Sequence, residues 1–175
     1  MFTAEEIRVA NATSRHAGAS VINKDGTLRA VVPKYVESIA RKEDKILDYG
    51  AGKGAVHTLY LRGKGFDCTA YDFGENVTEI HDKNALDRQY DIVFASNVLN
   101  VCSTTHMLVR TTMELWQATK NDGIAIVNYP INPRKCFYTT KQVQDILECS
   151  FDCAEAQLIG GTKNAPVWMI RKRLC

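Results

Sequence analysis

The feature that most constrains the fold is a glycine-rich loop between a short apolar segment and a helical one. The apolar segment is Lys45–Tyr49, and glycines follow at positions 50, 52 and 54, ahead of a stretch that contains Val56 and Leu59. Glycine permits a tight turn and removes the Cβ that would hold a ligand away from the backbone. Free amides at the start of the next helix favour an anionic group. The pattern therefore predicts a strand, a ligand-binding turn and a helix in succession.

The rest of the chain alternates strand-like and helical segments, which indicates an α/β sheet with crossover helices. The predicted strands are short and apolar, and lie at Lys45–Tyr49, Asp67–Tyr71, 91–95 and 123–128. A further strand between residues 79 and 86 is only weakly indicated. The tail predicts a hairpin, with strands at residues 154–158 and 167–170 around a loop at 160–164. We therefore expect an antiparallel last strand.

Capping signals mark the helix starts. Thr3 with Glu6, and Thr139 with Gln142, have the spacing of a capping box, which predicts helices that begin beside Thr3 and Thr139. Pro33 suits the first position of a second helix. Apolar residues at helical spacing predict another helix over residues 105–119, ended by the turn residues 121–123.

Length and composition restrict the class of protein. The chain has 175 residues, 45% hydrophobic and 24% charged, which suits one domain with a sizeable core. Its net charge of +2 is far from the balance of dedicated nucleic-acid binders. No apolar run approaches a membrane span, and charged residues interrupt the first ten positions, so we expect a cytoplasmic protein without a membrane partner. The six cysteines show no CxxC spacing, and we assign neither a disulfide nor a metal.

Two carboxylates accompany the glycine loop. Asp72 ends the second predicted strand, where it can accept hydrogen bonds from both hydroxyls of a ribose. Gly50, Gly52 and Ala55 also satisfy the GxGxxA form of the dinucleotide fingerprint, so spacing alone leaves a nicotinamide cofactor open. Asp48, at the end of the first strand, would repel a pyrophosphate but attract the ammonium and sulfonium of S-adenosylmethionine (SAM). We therefore favour SAM as the cofactor.

From Lys45 to the C-terminus the sequence resembles the class I SAM-dependent methyltransferases. Residues 48–54 are similar to the first motif of that family, whose loop holds the methionine part of SAM. The resemblance implies an α/β fold, a three-layer Rossmann-like sandwich with a mostly parallel seven-stranded sheet and an antiparallel last strand. Within one domain it implies an N-terminal helical lid, residues 1–44, over a SAM-binding methyltransferase core, residues 45–175.

The resemblance also implies the cofactor contacts. Asp72 matches the acidic ribose ligand, and Phe73 matches the residue that packs on adenine. Asn84 stands where the family usually has a carboxylate for the adenine amino group, and an amide oxygen can accept the same bond. Residues 90–100 are similar to the fourth strand and the loop after it. The expected cofactor-binding residues are Asp48, Gly50, Ala51, Gly52, Gly54, Asp72, Phe73, Asn84, Ala85, Leu86, Ser96 and Asn97.

We expect the methyl acceptor between the loops after the fourth and fifth predicted strands, residues 96–100 and 128–132, because the carboxyl ends of parallel strands share one edge of a sheet. Asn97 and Tyr129 are the candidate catalytic residues. Residues 128–131, Asn-Tyr-Pro-Ile, are similar to the Asn-Pro-Pro-Tyr type motif of amino-group methyltransferases, although that motif belongs after strand four. An ordinary proline turn is the alternative.

Charged and titratable residues outside the motifs give weaker hypotheses. Arg15 and His16, in the predicted lid, are placed to contact the acceptor, and His57 and His106 lie within reach of the crevice. For each histidine we favour a surface or core role over an acid-base role.

The sequence leaves several functions open. The acceptor is a small molecule or a nucleic acid. The other functions that remain are a SAM-binding protein without transferase activity and an NAD-dependent oxidoreductase. No obligate partner is evident, and we expect a monomer or a small homo-oligomer.

Overall fold

The computed structural model describes residues 2–16, 22–131, 138–152 and 154–173, with the side chains of positions 15 and 16 outside the description. The helices are α1 (Ala4–His16), α2 (Val31–Ile39), α3 (Val56–Gly63), α4 (Thr105–Ala118) and α5 (Thr140–Ser150). The strands are β1 (Lys45–Tyr49), β2 (Asp67–Tyr71), β3 (Tyr90–Ala95), β4 (Thr119–Asn128), β5 (Ala156–Thr162) and β6 (Ala165–Arg171). No helix in the described part of the chain is long and apolar enough to cross a membrane.

The strands form one sheet in the order β2-β1-β3-β4-β6-β5. Strands β2, β1, β3 and β4 are parallel, and β6 pairs antiparallel with both β4 and β5. The predicted α/β class, the parallel core and the antiparallel last strand are therefore confirmed. Because parallel strands present their carboxyl ends together, the loops after β1, β2, β3 and β4 meet at one edge.

Side chains of successive strand residues cover opposite faces of the sheet. Ile46, Phe94 and Ile126 pack with α2 and α3 on one face. Leu47, Val93 and Val127 face α4 and α5 on the other. The sheet is therefore a buried middle layer between two helical layers, as the near-continuous apolar runs of its strands predict.

The expectation of a seventh strand was wrong for the described residues. Between β2 and β3 the chain makes a single parallel bridge, His81 with Ala70. It bends before the bridge, where the ring Nδ1 of His81 lies 3.1 Å from the backbone nitrogen of Thr78. It bends again after it, where Asp82 accepts from the backbone of Asn84 and a short turn follows at Ala85–Asp87. Side-chain hydrogen bonds to the backbone thus replace the ladder that an edge strand would need.

The helix starts agree with the capping signals, with small shifts elsewhere. Thr3 and Glu6 bond reciprocally at the start of α1, and the Thr139–Gln142 capping box opens α5. Helix α2 begins at Val31, two residues before Pro33. Strand β4 begins directly after α4, so residues 121–123 are part of it and not the expected turn. The backbone nitrogen of Asp122 donates to the backbone oxygen of Lys172 at 2.9 Å, and this bond stabilises the extension of β4.

Candidate functional site

The glycine loop after β1 adopts backbone conformations that favour glycine. Gly50 and Gly52 have φ of 74° and 71°. A Cβ on Gly50 would lie 2.6 Å from Cγ2 of Val98, so this position also requires glycine for packing. A Cβ on Gly52 would meet nothing within 4 Å. Gly52 thus has open space beside its backbone, which is the arrangement a bound ligand needs.

Asp72, at the end of β2, joins the glycine loop to the next strand. Its side chain accepts from the backbone nitrogens of Gly52 and Phe73, each at 2.7 Å, and from Nδ2 of Asn76 at 3.4 Å. Asp72 is only 7% exposed, and burial raises the pKa of its carboxyl. A carboxylate offers about four lone-pair sites. It can therefore hold the loop and still accept a hydrogen bond from a ligand hydroxyl.

Asp48 lies beneath the glycine loop and does not line the crevice. It is 1% exposed, and its Oδ2 accepts from Oγ1 of Thr58 in α3 at 2.8 Å. Burial and, less strongly, the neighbouring charge of Asp72 raise the pKa of this carboxyl to about 7, against the opposing effect of the Thr58 hydrogen bond. Its side chain lies on the α3 side of the sheet because Asp48 shares a face with Ile46. Through Thr58, Asp48 joins β1 to α3, the two elements on either side of the glycine loop.

Two asparagines pair at the ends of β3 and β4. The backbone nitrogen of Asn97 donates to Oδ1 of Asn128 at 2.7 Å, and Nδ2 of Asn128 donates to Oδ1 of Asn97 at 2.9 Å. Asn97 has φ of 59°, a left-handed conformation that asparagine tolerates better than most residues. The sequence indicated both residues separately, but their reciprocal pairing depends on the adjacency of β3 and β4. We call these two residues the asparagine pair.

Helix α1 covers this edge of the sheet. Nδ2 of Asn11 lies 3.4 Å from the backbone oxygen of Phe73, and Oδ1 of Asn11 accepts from Asn76 at 3.1 Å. The ring of Phe2 lies 5.2 Å from that of Phe73, centroid to centroid. Asn11 and Asn76 were missed by the sequence interpretation because no local motif distinguishes them from other asparagines.

Glu6 fastens the start of α1 to the start of α4. Its carboxylate accepts from the backbone of Thr3 at 2.9 Å and from the hydroxyl of Thr104, and it lies 3.1 Å from Nδ1 of His106. The Thr104 hydroxyl, together with the Thr3 and His106 bonds, lowers the pKa of Glu6 to about 2. His106 is thus occupied by the contact between the two helices.

A cavity of about 30 Å³ remains between α1 and the glycine loop. Its described lining consists of Ala10, Asn11, Ser14, Gly50, Asp72, Phe73, Asn76, Asn97, Val98 and Val101. Such a volume holds about one water molecule, whereas sites for cofactor-sized ligands measure about 300–1,000 Å³. The space beneath α1 is therefore smaller than a cofactor-sized ligand occupies.

Other predicted site residues are not among those that line the cavity. Ala51 and Ala85 are buried, Asn84 is exposed, and Leu86 packs against the core. Oγ of Ser96 and Oδ1 of Asn100 are buried without a partner among the described residues. Gly54 lies at the exposed side of the loop, ahead of α3.

Tyr129 and His57 lie in the interior. Tyr129 is fully buried, and its hydroxyl donates to the backbone oxygen of Tyr138 at 2.9 Å. His57 is 6% exposed, and burial lowers its pKa to about 4. These placements serve the core. The acceptor contacts expected from residue 132 and from the side chains of Arg15 and His16 lie outside the described residues.

Larger hollows lie elsewhere, one of about 380 Å³ along α4 beside Val109 and Met113 and one of about 470 Å³ beside Asp91 and Arg171. The second lies at the amino ends of the strands. Ligands of parallel α/β sheets bind at the carboxyl ends, where the glycine loop and Asp72 meet. Position and chemistry, rather than volume, therefore indicate the site.

Comparison with known proteins identifies the family of the chain. Residues 22–155 match a family model described as a methyltransferase domain. No curated protein matches the sequence.

Solved structures give fold likeness at low identity. A TehB-like SAM-dependent methyltransferase from Corynebacterium glutamicum has a TM-score of 0.65 at 15% identity, over 95% of this chain and 98% of that chain. A SAM-dependent methyltransferase from Bacteroides fragilis in complex with S-adenosyl-L-homocysteine has a TM-score of 0.63 at 13% identity, over 99% and 98%. Magnesium protoporphyrin IX methyltransferase from Synechocystis, with bound SAM, has a TM-score of 0.56 at 13% identity, over 96% and 82%.

Proposed function

This chain belongs to the methyltransferase domain family, and we propose that it transfers a methyl group from SAM, held at the carboxyl edge of β1, β2 and β3, to an acceptor beside the ends of β3 and β4. The observation that carries the proposal is the open face of Gly52 next to the buried carboxylate of Asp72. SAM supplies an electrophilic methyl group on a sulfonium. The chain's task is to bind it, exclude water and hold a nucleophile in line with it.

The residues of this edge fit the chemical groups of SAM in strand order. Phe73 follows β2 and offers a ring to pack on adenine, and Asp72 offers a carboxylate oxygen to ribose hydroxyls. The glycine loop follows β1 and lets the methionine part approach the backbone. Asn97 follows β3, and Asn128 ends β4, one strand further toward the acceptor. The ligand would thus lie across the strand ends, with its methyl group directed toward β4.

Helix α1 supplies the exclusion of water. Its residues Ala10, Asn11 and Ser14 form the cover of the cavity, so that a ligand beneath them is separated from solvent. The small volume of about 30 Å³ beneath α1 supports a movement of this helix that admits SAM and then covers it. This sequence of events agrees with the lid that the sequence resemblance implied.

The proposal is tested by separating cofactor binding from transfer. Calorimetry should detect binding of SAM and of S-adenosylhomocysteine (SAH), and no binding of either at millimolar concentration would contradict it. Formation of SAH from SAM should then be measured with small hydroxyl and amine compounds, with DNA and with RNA, against a reaction without acceptor. SAH formation that rises with one acceptor class identifies that class. Binding without transfer to any acceptor would instead favour a SAM-binding protein that lacks transferase activity.

A further inference from the structure

His81 reaches the glycine loop from the segment between β2 and β3. It makes the parallel bridge to Ala70 and is only 8% exposed. Its Nε2 lies 3.0 Å from the backbone oxygen of Gly52, and its Nδ1 lies 3.1 Å from the backbone nitrogen of Thr78. The ring therefore connects the turn before the bridge with the loop after β1.

The partners of the His81 ring determine its tautomer. A backbone N–H can only donate a hydrogen bond, and a backbone carbonyl can only accept one. Nδ1 must therefore accept from the backbone of Thr78, and Nε2 must carry the proton that it donates to Gly52. The hydroxyl of Thr78, 3.0 Å from Nδ1, can take either role and adds no constraint. The arrangement thus requires a neutral imidazole whose Nε2–H is directed at the glycine loop.

The peptide groups of Gly52 are held on both sides. Its nitrogen donates to Oδ2 of Asp72 at 2.7 Å, and its oxygen accepts from the backbone of Ala55 at 2.9 Å as well as from His81. A carbonyl oxygen has two lone pairs, so both polar groups of Gly52 are fully engaged. Gly52 can therefore offer a ligand the open space beside its Cα, in a direction that these bonds determine.

Glycine has more backbone freedom than any other residue, so the direction of that open face must be fixed by its neighbours. The bond from Ala55 lies within the loop itself. Asp72 and His81 both belong to the chain that follows β2, and they hold the amide side and the carbonyl side of Gly52 from outside the loop. A turn that is fixed before a ligand arrives lowers the ordering cost of binding.

We propose that His81 is a positioning residue for the cofactor, whose Nε2–H holds the Gly52 carbonyl and so preorganises the glycine loop for SAM. This inference rests on the proposed function, because it assigns a role at the site proposed for SAM. His81 acts through Gly52, and the bond to Thr78 orients its ring.

Two amide substitutions separate the two bonds of the ring. Oδ1 of asparagine stands as many bonds from Cα as Nδ1 of histidine, so His81→Asn keeps an acceptor for Thr78 and loses the donor to Gly52. Nε2 of glutamine stands as many bonds from Cα as Nε2 of histidine, so His81→Gln keeps the donor to Gly52 and loses the acceptor for Thr78. Each variant thus removes one bond and retains the other.

Calorimetric titration with SAH tests the positioning role. His81→Asn should weaken SAH binding by about fivefold to tenfold, the range of one lost neutral hydrogen bond, whereas His81→Gln should stay within about twofold of the unsubstituted protein. Equal affinity of the two variants, or weaker binding by His81→Gln, would overturn the proposal. His81 would then act only through the turn at Thr78.

Amide hydrogen exchange, followed by NMR, shows which segment each variant loosens. In His81→Asn the amide of Ala55, which donates to Gly52, should exchange several-fold faster, while the amide of Thr78 keeps its protection. In His81→Gln the order should be reversed. A loss of SAH affinity that follows the exchange of Thr78, rather than that of Ala55, would contradict an action through the loop.

A neighbouring surface variant and the unfolding temperature serve as controls. Lys83→Ala changes an exposed side chain two residues after His81 and should leave both SAH affinity and the exchange of Ala55 unchanged. Thermal unfolding of each variant reports its fold. Should the unsubstituted protein fail to bind SAH, the proposed function and this inference both fail. Should it bind SAH while the two His81 variants bind it equally well, only the inference fails.

Discussion

At the scale of single residues, Asp72 combines a structural and a ligand-binding role in one carboxylate. It ties Gly52 and Phe73 together through two backbone hydrogen bonds of 2.7 Å. Charge-assisted bonds of this kind are stronger than neutral ones. The carboxylate is thus fixed in place before a ligand arrives, which reduces the ordering cost of binding.

Asp72→Ala is expected to weaken SAH binding by about 2–3 kcal/mol, because the ribose hydroxyls lose a charged partner and the glycine loop loses its anchor. Calorimetric titration with SAH measures the change. Asp67→Ala is the matched control, since Asp67 is the exposed first residue of the same strand. An affinity for SAH that is the same in Asp72→Ala and Asp67→Ala would mean that the ribose is held elsewhere.

The spacing of the glycines predicted the residues of the loop. It did not predict the direction of the Asp48 side chain, which follows from strand geometry. Gly50 and Gly52 were indicated by spacing alone, and both have positive φ. The direction of Asp48 follows from period-two alternation, which places it with Ile46 on the α3 face. Thr58, ten residues further along the chain, is its partner. The contact between them became identifiable only once α3 had been packed on that face.

At the scale of elements, α1 is held by few strong contacts rather than by a broad apolar face. Glu6 connects it to α4, and Asn11 connects it to the segment after β2. The capping box of α1 was predicted from sequence, yet the same Glu6 carboxylate also reaches Thr104, nearly a hundred residues away. No local signal encodes that second contact. An element held in this way can open without unfolding the sheet.

Glu6→Gln is expected to loosen α1, because a carboxylate that contacts Thr3, Thr104 and His106 becomes a neutral amide. Amide hydrogen exchange in residues 4–14 should accelerate by about tenfold. The association rate of SAH, followed by stopped-flow fluorescence, should rise because the lid opens more often. The core strands should keep their protection.

Glu5→Gln is the matched control for the lid. Glu5 lies one residue earlier on α1, is exposed and pairs only with Arg8 among the described residues. Its substitution should leave both the exchange of α1 and the association rate of SAH unchanged. Equal effects of the two variants would show that the Glu6 contact does not hold the lid.

At the scale of the whole molecule, the sequence predicted what short-range patterns determine. The parallel strands, the capping boxes and the antiparallel last strand follow from alternation and spacing within a few residues. The absence of a seventh strand from the described residues, the cover of α1 over the crevice and the asparagine pair depend on tertiary neighbours. Asn97 and Asn128 lie thirty-one positions apart, and nothing near either residue indicates the other. Contacts of this range require the strand order to be known first.

Buried ionisable groups link the stability of the whole domain to pH. Burial raises the pKa of Asp48 to about 7, well above its value in an unfolded chain. The native state then binds a proton more tightly than the unfolded state, so this contribution to stability is fully present below about pH 4 and is lost progressively as pH rises from about 4 to 7. His57 acts in the opposite direction, since burial lowers its pKa to about 4 and favours the native state as pH rises toward 6.5. The pH dependence of the free energy of unfolding is therefore the sum of two contributions of opposite sign.

The difference between Asp48→Asn and the unsubstituted protein isolates the Asp48 contribution. Asparagine keeps an oxygen that can accept from Thr58 but carries no charge to desolvate. Relative to the unsubstituted protein, Asp48→Asn should gain stability as pH rises from about 4 to 7, with a slope of up to about 1.4 kcal/mol per pH unit, and the difference should level off between pH 7 and 8. Urea unfolding at pH 5, 6, 7 and 8 measures this difference, with Asp87→Asn, an exposed carboxylate, as the control. A difference that stays constant across this range would mean that Asp48 is ionised throughout it and that the interior beneath the glycine loop accommodates its charge.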